Sequence, residues 1–362
     1  MQKEKLVPEI RFKGFEEEWN QKVINQTLIP VISTLTMSNV QGKGEILLFD
    51  ANSIVGYSSY ALSSVPYLTI IKDGAGVGRI RKLPGNSAFL GTMTGLIPRN
   101  VDIDFIHSLI STLSLEKSFS GSTIPHIYFS DYGKLKIYIP YFSEQQKIGQ
   151  FFSSIDSLIQ SQEFKLKKLN EVKQSLLNKM FASENQKFPE IRFKGFEEEW
   201  KNILMNDIIF SLPYKKYVKS PSIGGSFPVI QQGAEPICGL ANGYPFADYN
   251  NVVIFGDHTL SIYKPKCPFF VASDGIRILK SKNDLPAEFL YRIIEKHLPL
   301  SHGYTRHFSI LKMQEVKISI IYNEQQKIGQ FFSSLDTLIQ SQELKLEKLN
   351  NIKQALLEKM FC

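Results

Sequence analysis

The chain is 362 residues long, with 42 lysines and arginines against 35 aspartates and glutamates, a formal charge of +7, and 43% apolar residues. It is long enough for two ordinary domains with real cores, and its basic excess favours a polyanionic partner without requiring one. Three cysteines with no CxxC pair and no metal-ligand spacing to the six histidines fit a reducing cytosol, and the absence of an apolar h-region or an apolar run near 18 residues argues against secretion and a membrane span.

Residues Pro8 to Trp19 read PEIRFKGFEEEW, and Pro189 to Trp200 repeat them at all twelve positions. A second repeat matches Glu144–Phe181 (EQQKIGQFFSSIDSLIQSQEFKLKKLNEVKQSLLNKMF) to Glu324–Phe361, with 30 of 38 positions identical. The offsets are 181 and 180 residues, so the chain is two tandem units with pseudo-twofold symmetry as the default expectation. The division expected is a first body at 1–143, a helical region at 144–183, a second body at 184–323 and a second helical region at 324–362. Lysine plus arginine against aspartate plus glutamate is 14 to 12 in the first body and 17 to 14 in the second, but 6 to 4 and 5 to 5 in the helical repeats, so any polyanion contact belongs to the bodies.

In the first body, Val65–Lys72 has the β-branched density of a buried strand, Asp104–Leu115 reads as a short helix and Leu135–Ile139 as a closing strand. Gly74, Gly76 and Gly78 follow the buried strand. A dinucleotide fingerprint would open a helix there, whereas Arg79, Arg81 and Lys82 follow at once and Pro84 breaks any helix. The loop, with Lys72 at its start, reads either as a glycine-rich basic loop lying against a polyanion or as a structural turn. Ser122, Thr123 and His126, in GSTIPH ahead of the closing strand, present hydroxyl and imidazole groups suited to phosphate oxygens or base edges, or form a turn whose histidine packs on the body.

The helical repeat places Ile148, Ile155, Leu169 and Leu176 at multiples of seven, with Phe151, Phe152, Leu158, Ile159, Leu166, Val172 and Met180 beside them, and contains no proline. It predicts one continuous helix of ~57 Å. Its expected partner is the second copy, whose seam is Ile328, Phe331, Phe332, Leu335, Leu349 and Leu356. Gln162 and Gln342 interrupt the two seams and would set register at a cost in stability. The alternative is two amphipathic helices packed on separate cores.

The second body shares little with the first between the matched ends. Asn251–Phe255 and Val316–Ile320 read as strands and Ala287–His297 as a helix. Tyr214, Lys215, Lys216, Tyr217 and Lys219 interleave charge and ring as a loop gripping nucleic acid does, or as a solvated basic turn does. Thr305, Arg306 and His307 echo the GSTIPH loop. Asp257, His258 and Thr259 have acid–base chemistry but no nucleophile elbow, Walker lysine, HExxH or cysteine pair to complete it, so a structural turn is expected and no catalytic or metal site is assigned. The fold class is mixed α/β: two globular bodies separated by two long antiparallel coiled-coil helices.

Two tandem halves, each opening with GFEEEW (Gly14–Trp19, Gly195–Trp200) and closing with an EQQKIGQFFSSxDxLIQ helix, resemble the specificity subunit of type I restriction-modification systems over essentially the whole chain. The resemblance implies a non-catalytic, cytoplasmic protein whose two target-recognition domains each read one half of a bipartite, asymmetric sequence in double-stranded DNA. It also implies helices that set the spacing and dock two methyltransferase subunits, to which ATP-driven restriction subunits can join. No cofactor is implied in this chain; S-adenosylmethionine, ATP and magnesium belong to the partners. The rival reading is a stand-alone coiled-coil DNA-binding regulator that assembles without a methyltransferase.

Overall fold

The computed structural model describes residues 7–74, 76–121, 125–301, 303 and 305–362. The chain divides into two compact units, Met1–Glu163 with Leu344–Cys362, and Phe164–Glu343.

The first unit runs β1 (Asn20–Val23), α1 (Ile24–Thr27), β2 (Leu28–Ile32), β3 (Ile46–Phe49), β4 (Ile54–Ser58), β5 (Tyr67–Ile71), β6 (Ile80–Leu83), β7 (Ser87–Phe89), β8 (Met93–Pro98), α2 (Ile103–Thr112), α3 (Phe129–Tyr132), β9 (Lys136–Ile139) and the start of α4 (Phe142–Lys179). A four-stranded sheet has the order β2-β8-β5-β6, a three-stranded sheet β4-β3-β7, and β1 pairs with β9. All five residues of strand β5, YLTII, are buried, Thr69 being the one without an apolar or aromatic side chain. The strand begins after Pro66, which has no N–H to give a ladder. Asp102 caps α2, its Oδ1 accepting the N–H groups of Asp104 and Phe105 at 3.0 and 2.9 Å.

The second unit runs β10 (Lys201–Leu204), α5 (Met205–Ile208), β11 (Ile209–Leu212), β12 (Phe227–Ile230), β13 (Ile237–Ala241), β14 (Val252–Gly256), β15 (Ile262–Tyr263), β16 (Phe270–Val271), β17 (Ile276–Ser281), α6 (Ala287–Lys296), α7 (Phe308–Lys312), β18 (Glu315–Ile318) and the start of α8 (Tyr322–Met360). Its sheets are β11-β17-β14-β15, β13-β12-β16 and β10-β18. Strand for strand this is the first unit again. The parallel pair β3–β7 recurs as β12–β16, and each three-stranded sheet has a register shift at the same place, between Leu48 and Phe49 and between Val229 and Ile230. Two bodies with little common sequence therefore share one topology, because the burial pattern of the strands persists while the surface residues change.

The identical repeats build the same joint in each unit. Arg11 donates two hydrogen bonds to the Glu144 carboxylate, Phe12 meets Phe151 edge-on at 5.7 Å, Lys147 lies over the Phe15 ring, and the Ile10 N–H reaches the Lys359 carbonyl at 2.9 Å. In the second unit Arg192 with Glu324, Phe193 with Phe331, Lys327 with Phe196, and Ile191 with Lys179 repeat those contacts. Trp19 packs on Phe361 and Trp200 on Phe181. Each PEIRFKGFEEEW segment is thus clamped between the start of one long helix and the end of the other.

Along α4, positions 148, 152, 155, 159, 162, 166, 169, 173 and 176, stepping alternately by four and three, are all buried or half-buried, with 144, 145, 149, 151, 153, 156 and 177 shielded beside them. That is a heptad seam. In the first unit Ile148 and Phe152 share a core with Leu357, Met360 and Phe361, and Lys353 Nζ lies 2.5 Å from Asp156 Oδ1. In the second, Ile328 and Phe332 share a core with Leu177, Met180 and Phe181, and Lys173 Nζ lies 2.8 Å from Asp336 Oδ1. Within each unit the two helix segments run antiparallel.

The apolar pattern assigned two seam positions differently. Phe151 and Phe331 lie beside the seam, seated against Phe12 and Phe193, and Phe331 is 37% exposed. Lys173 and Lys353 stand in the seam itself, where their ammonium groups meet carboxylates instead of apolar partners. Ile155, Leu335 and Leu356 pack on the cores, Gln162 is buried, and Leu169, Leu176, Gln342 and Leu349 are half-buried.

Candidate nucleic-acid interface

In each unit three loops converge at one end of the central strand. In the first they are the β3–β4 turn, the β5–β6 loop and the segment entering α3. Gly74, Gly76 and Gly78 have φ of +78°, +85° and +83°, a left-handed backbone that glycine adopts at least cost, and the loop leads into strand β6 and not into a helix. Arg79 Nη2 donates to the Ala51 carbonyl and to Asn52 Oδ1, each at 2.6 Å, and Arg81 Nη1 donates to the Asp50 carbonyl at 2.9 Å. Both arginines thus spend hydrogen bonds on tying loop to turn, and Arg79 is the more exposed.

His126 closes the other side. Its Nδ1 lies 2.6 Å from Asp73 Oδ1, its backbone exchanges two bonds with Ser120, and its ring stacks on Tyr128 at 6.4 Å. Lys72 is half-buried, and its carbonyl accepts the Ile127 N–H at 2.9 Å. Ser122 and Thr123 lie outside the described residues.

The second unit uses Asp257, which follows β14 and is 1% exposed. Its Oδ2 accepts Arg277 Nε and Nη2 at 3.1 and 2.9 Å, and its Oδ1 accepts the Phe308 N–H at 2.8 Å. The carboxylate is consumed in bracing the loop, which is the structural turn expected of the Asp257–Thr259 stretch. His307, which the sequence left either presented to a ligand or packed on the body, is fully buried, so the second alternative holds there. Its N–H donates to the Asp257 carbonyl at 2.8 Å and its Nδ1 lies 3.1 Å from the same oxygen. Thr305 and Arg306 are exposed; Arg306 lies 3.6 Å from the exposed Asp274 carboxylate, and the Thr305 carbonyl lies 3.1 Å from His258 Nδ1.

The Tyr214–Lys219 stretch is only partly as expected. Lys215 and Lys216 are exposed on a single 3-10 turn. Tyr214 and Tyr217 instead pack on the core, Tyr217 edge-on to Phe246 at 5.2 Å, so their rings serve packing and are not laid open for stacking. Lys219 covers the Phe270 ring at 5.0 Å and donates to the Asn242 carbonyl. The corresponding loop of the first unit carries a 3-10 turn at Met37–Asn39 with no basic residue in it. Sequence reasoning had no signal for that equivalence, because only the strand order reveals it.

The family described as "Type I restriction modification DNA specificity domain" matches residues 10–174. That span holds the first clamp, the first body and most of α4, and the repeat carries the same clamp into the second half. Residues 10–174 thus carry the signature of a type I restriction-modification DNA specificity domain, over just under half of the chain. The type I restriction enzyme MjaVIII specificity subunit of Methanocaldococcus jannaschii is 26% identical over 161 residues, 42% of this chain and 37% of that protein, so the match spans little more than a third of that relative. A type I specificity subunit of Mycoplasma genitalium is 22% identical over 306 residues, covering 80% of this chain and 79% of its own. The crystal structure of the type I restriction-modification S subunit from M. genitalium has the same fold, with a TM-score of 0.76, 17% identity, and coverage of 98% of this chain and 99% of that one. Among the described residues no helix is long and apolar enough to cross a membrane.

Proposed function

We propose that this chain is a type I specificity subunit that selects a bipartite, asymmetric target in double-stranded DNA, each body reading one half through the loops that converge beside β5 and β14. The observation that carries this reading is one topology built twice on identical clamps, with the clamps preserved and the loops divergent. Two copies of one reader with unlike loops would read unlike sequences. The exposed basic and hydroxyl side chains of Arg79, Lys215, Lys216, Thr305 and Arg306 are the residues proposed to meet the nucleic acid, chiefly its phosphates.

The long helices are proposed to set the half-site spacing and to dock two methyltransferase subunits that modify adenine with S-adenosylmethionine. Restriction subunits using ATP and magnesium would join that core. Supporting this, the helices keep apolar side chains in solvent that the seam does not use. In the first unit Leu158, Leu344 and Ile352 are 44%, 51% and 53% exposed, and in the second Phe164, Val172 and Leu338 are 62%, 48% and 51% exposed. Apolar side chains at matching positions of both repeats are what a partner contacting each half alike would need.

Modified-base sequencing of the host genome with and without this gene tests the proposal. Loss of N6-methyladenine from a gapped, asymmetric motif on deletion is the expected result. An unchanged methylome, together with a pull-down that retrieves no methyltransferase, would leave a stand-alone DNA-binding protein and refute the docking role.

A further inference from the structure

The two bodies share a correspondence that their sequences do not align. Asp73 comes two residues after β5, and Asp257 immediately after the equivalent strand β14. His126 lies three residues ahead of α3, and His307 immediately ahead of α7. In the two units the aspartate and the histidine are bonded across 53 and 50 residues, joining the loop that leaves the central strand to the segment that enters the short helix before the closing strand. The residue types and topological positions are the same, but the atoms differ. In the first unit two side chains meet at 2.6 Å, each about a third exposed. In the second the histidine is buried on the Asp257 carbonyl, and the carboxylate is held by Arg277 and the Phe308 N–H.

We propose that this aspartate–histidine clasp is a positioning device for target reading, a proposal that rests on the reading that each body meets one half-site. The physical need is plain in the first unit. A loop with three left-handed glycines has little backbone rigidity of its own. Arg79 and Arg81 moor its far side to Asp50–Asn52, while its near side is moored by Asp73 to His126 and by the Gly74 N–H to the Pro125 carbonyl at 3.3 Å. Releasing the near side frees both the glycine loop and the segment holding His126 and Tyr128, yet opens no core, because the His126–Asp73 bond lies at the surface. In the second unit burial and Arg277 do the same work, so that the two half-sites depend on separate clasps. His126 and Asp73 are positioning residues and touch no substrate in this account.

Competition binding of the full chain, in complex with the methyltransferase it copurifies with, tests this on three duplexes: the complete target and two versions with one half scrambled. Wild type is expected to reject both scrambles. His126→Ala should lose most of its discrimination at one half-site, by about tenfold or more, the scale of a single mismatched pair, and keep wild-type discrimination at the other. Its melting temperature should stay within error of wild type. His126→Asn, whose side-chain amide can donate to Asp73, should restore the lost discrimination. Unchanged discrimination in His126→Ala, or equal loss at both halves, would overturn the clasp as a half-site positioning device. Should His126→Ala fold poorly, Asp73→Ala removes the other partner of the bond, and the same one-sided loss is required of it. A wild-type complex indifferent to both scrambles would overturn the DNA reading itself, and the clasp with it.

Discussion

Arg11 grips Glu144 across 133 residues of chain, its Nε and Nη2 lying 2.7 and 2.8 Å from the two carboxylate oxygens. Arg192 and Glu324 repeat the grip at 2.6 and 2.9 Å. The bond to Glu144 raises the Arg11 guanidinium above its ordinary range, against a smaller opposing effect of burial. Glu144 is 1% exposed, so Arg11→Ala strands a buried carboxylate and should cost about 3–5 kcal/mol in urea unfolding. Arg11→Lys should recover only part, because an ammonium cannot make the bidentate contact. In a double-mutant cycle with Glu144→Gln the two losses should be strongly non-additive.

Glycine within a helix usually costs stability, and here it makes room. A Cβ on Gly149 would stand 2.4 Å from Asp102 Oδ1 and 2.7 Å from the Phe105 nitrogen, the capped start of α2; on Gly329 it would stand 2.9 Å from both Glu288 Cβ and the Phe289 nitrogen. Gly149→Ala should therefore destabilise by about 1–3 kcal/mol through overpacking, although alanine is the better helix former. A melting temperature raised by the substitution would contradict the close approach.

Arg292 is almost wholly buried and bonds Glu295 and Asp336, while Lys173 lies 2.8 Å from each of the same carboxylates. The matching positions on α2 are Ser108 and Ser111, and the first unit has a groove of about 560 Å³ there, with Asp156 and Lys353 on its wall. Arg292→Ala should weaken the second unit by about 3–5 kcal/mol, since it leaves buried charge uncompensated. Ser108→Arg with Ser111→Glu should rebuild the network in the first unit with a gain of at most about 1 kcal/mol. Calorimetry on the two variants checks both directions.

Burial pushes the His297 imidazole down to about 4 from an ordinary value of 6.5, with Lys296 adding to the effect, and burial lowers His107 in the first unit as well. In the unfolded chain these groups take up a proton near pH 6.5, while His297 in the folded chain stays neutral until about pH 4. The unfolded state then binds more protons, so stability is full above about pH 6.5 and declines as pH falls towards 4. His297→Phe should flatten that decline in urea midpoints measured between pH 7 and pH 4.5.

The elements that came through in the sequence are those whose signal is local. The β-branched run at Tyr67–Ile71, the helix at Ala287–Lys296 and the proline-free heptads of α4 and α8 are each decided by neighbouring side chains. The residues left open or misplaced are ones whose environment comes from far away. Tyr217 reads as an exposed ring among lysines until Phe246 is packed against it, and His307 as either presented or packed until Asp257, 50 residues earlier, is brought to it. Lys173 reads as surface because it is a lysine, yet Glu295 and Asp336 supply its partners in the seam.

By itself the sequence determined the duplication, the two long helices, the divergence of the bodies and the resemblance to type I specificity subunits, because repeats and periodicity are written along the chain. Only the tertiary structure decided that the divergent bodies share one strand order, that the repeated segments exist to clamp each helix start to the other helix's end, and which polar groups face inward. Burial of a polar side chain is set by the partner that compensates it, and Arg292 finds Asp336 across 44 residues and Glu144 finds Arg11 across 133.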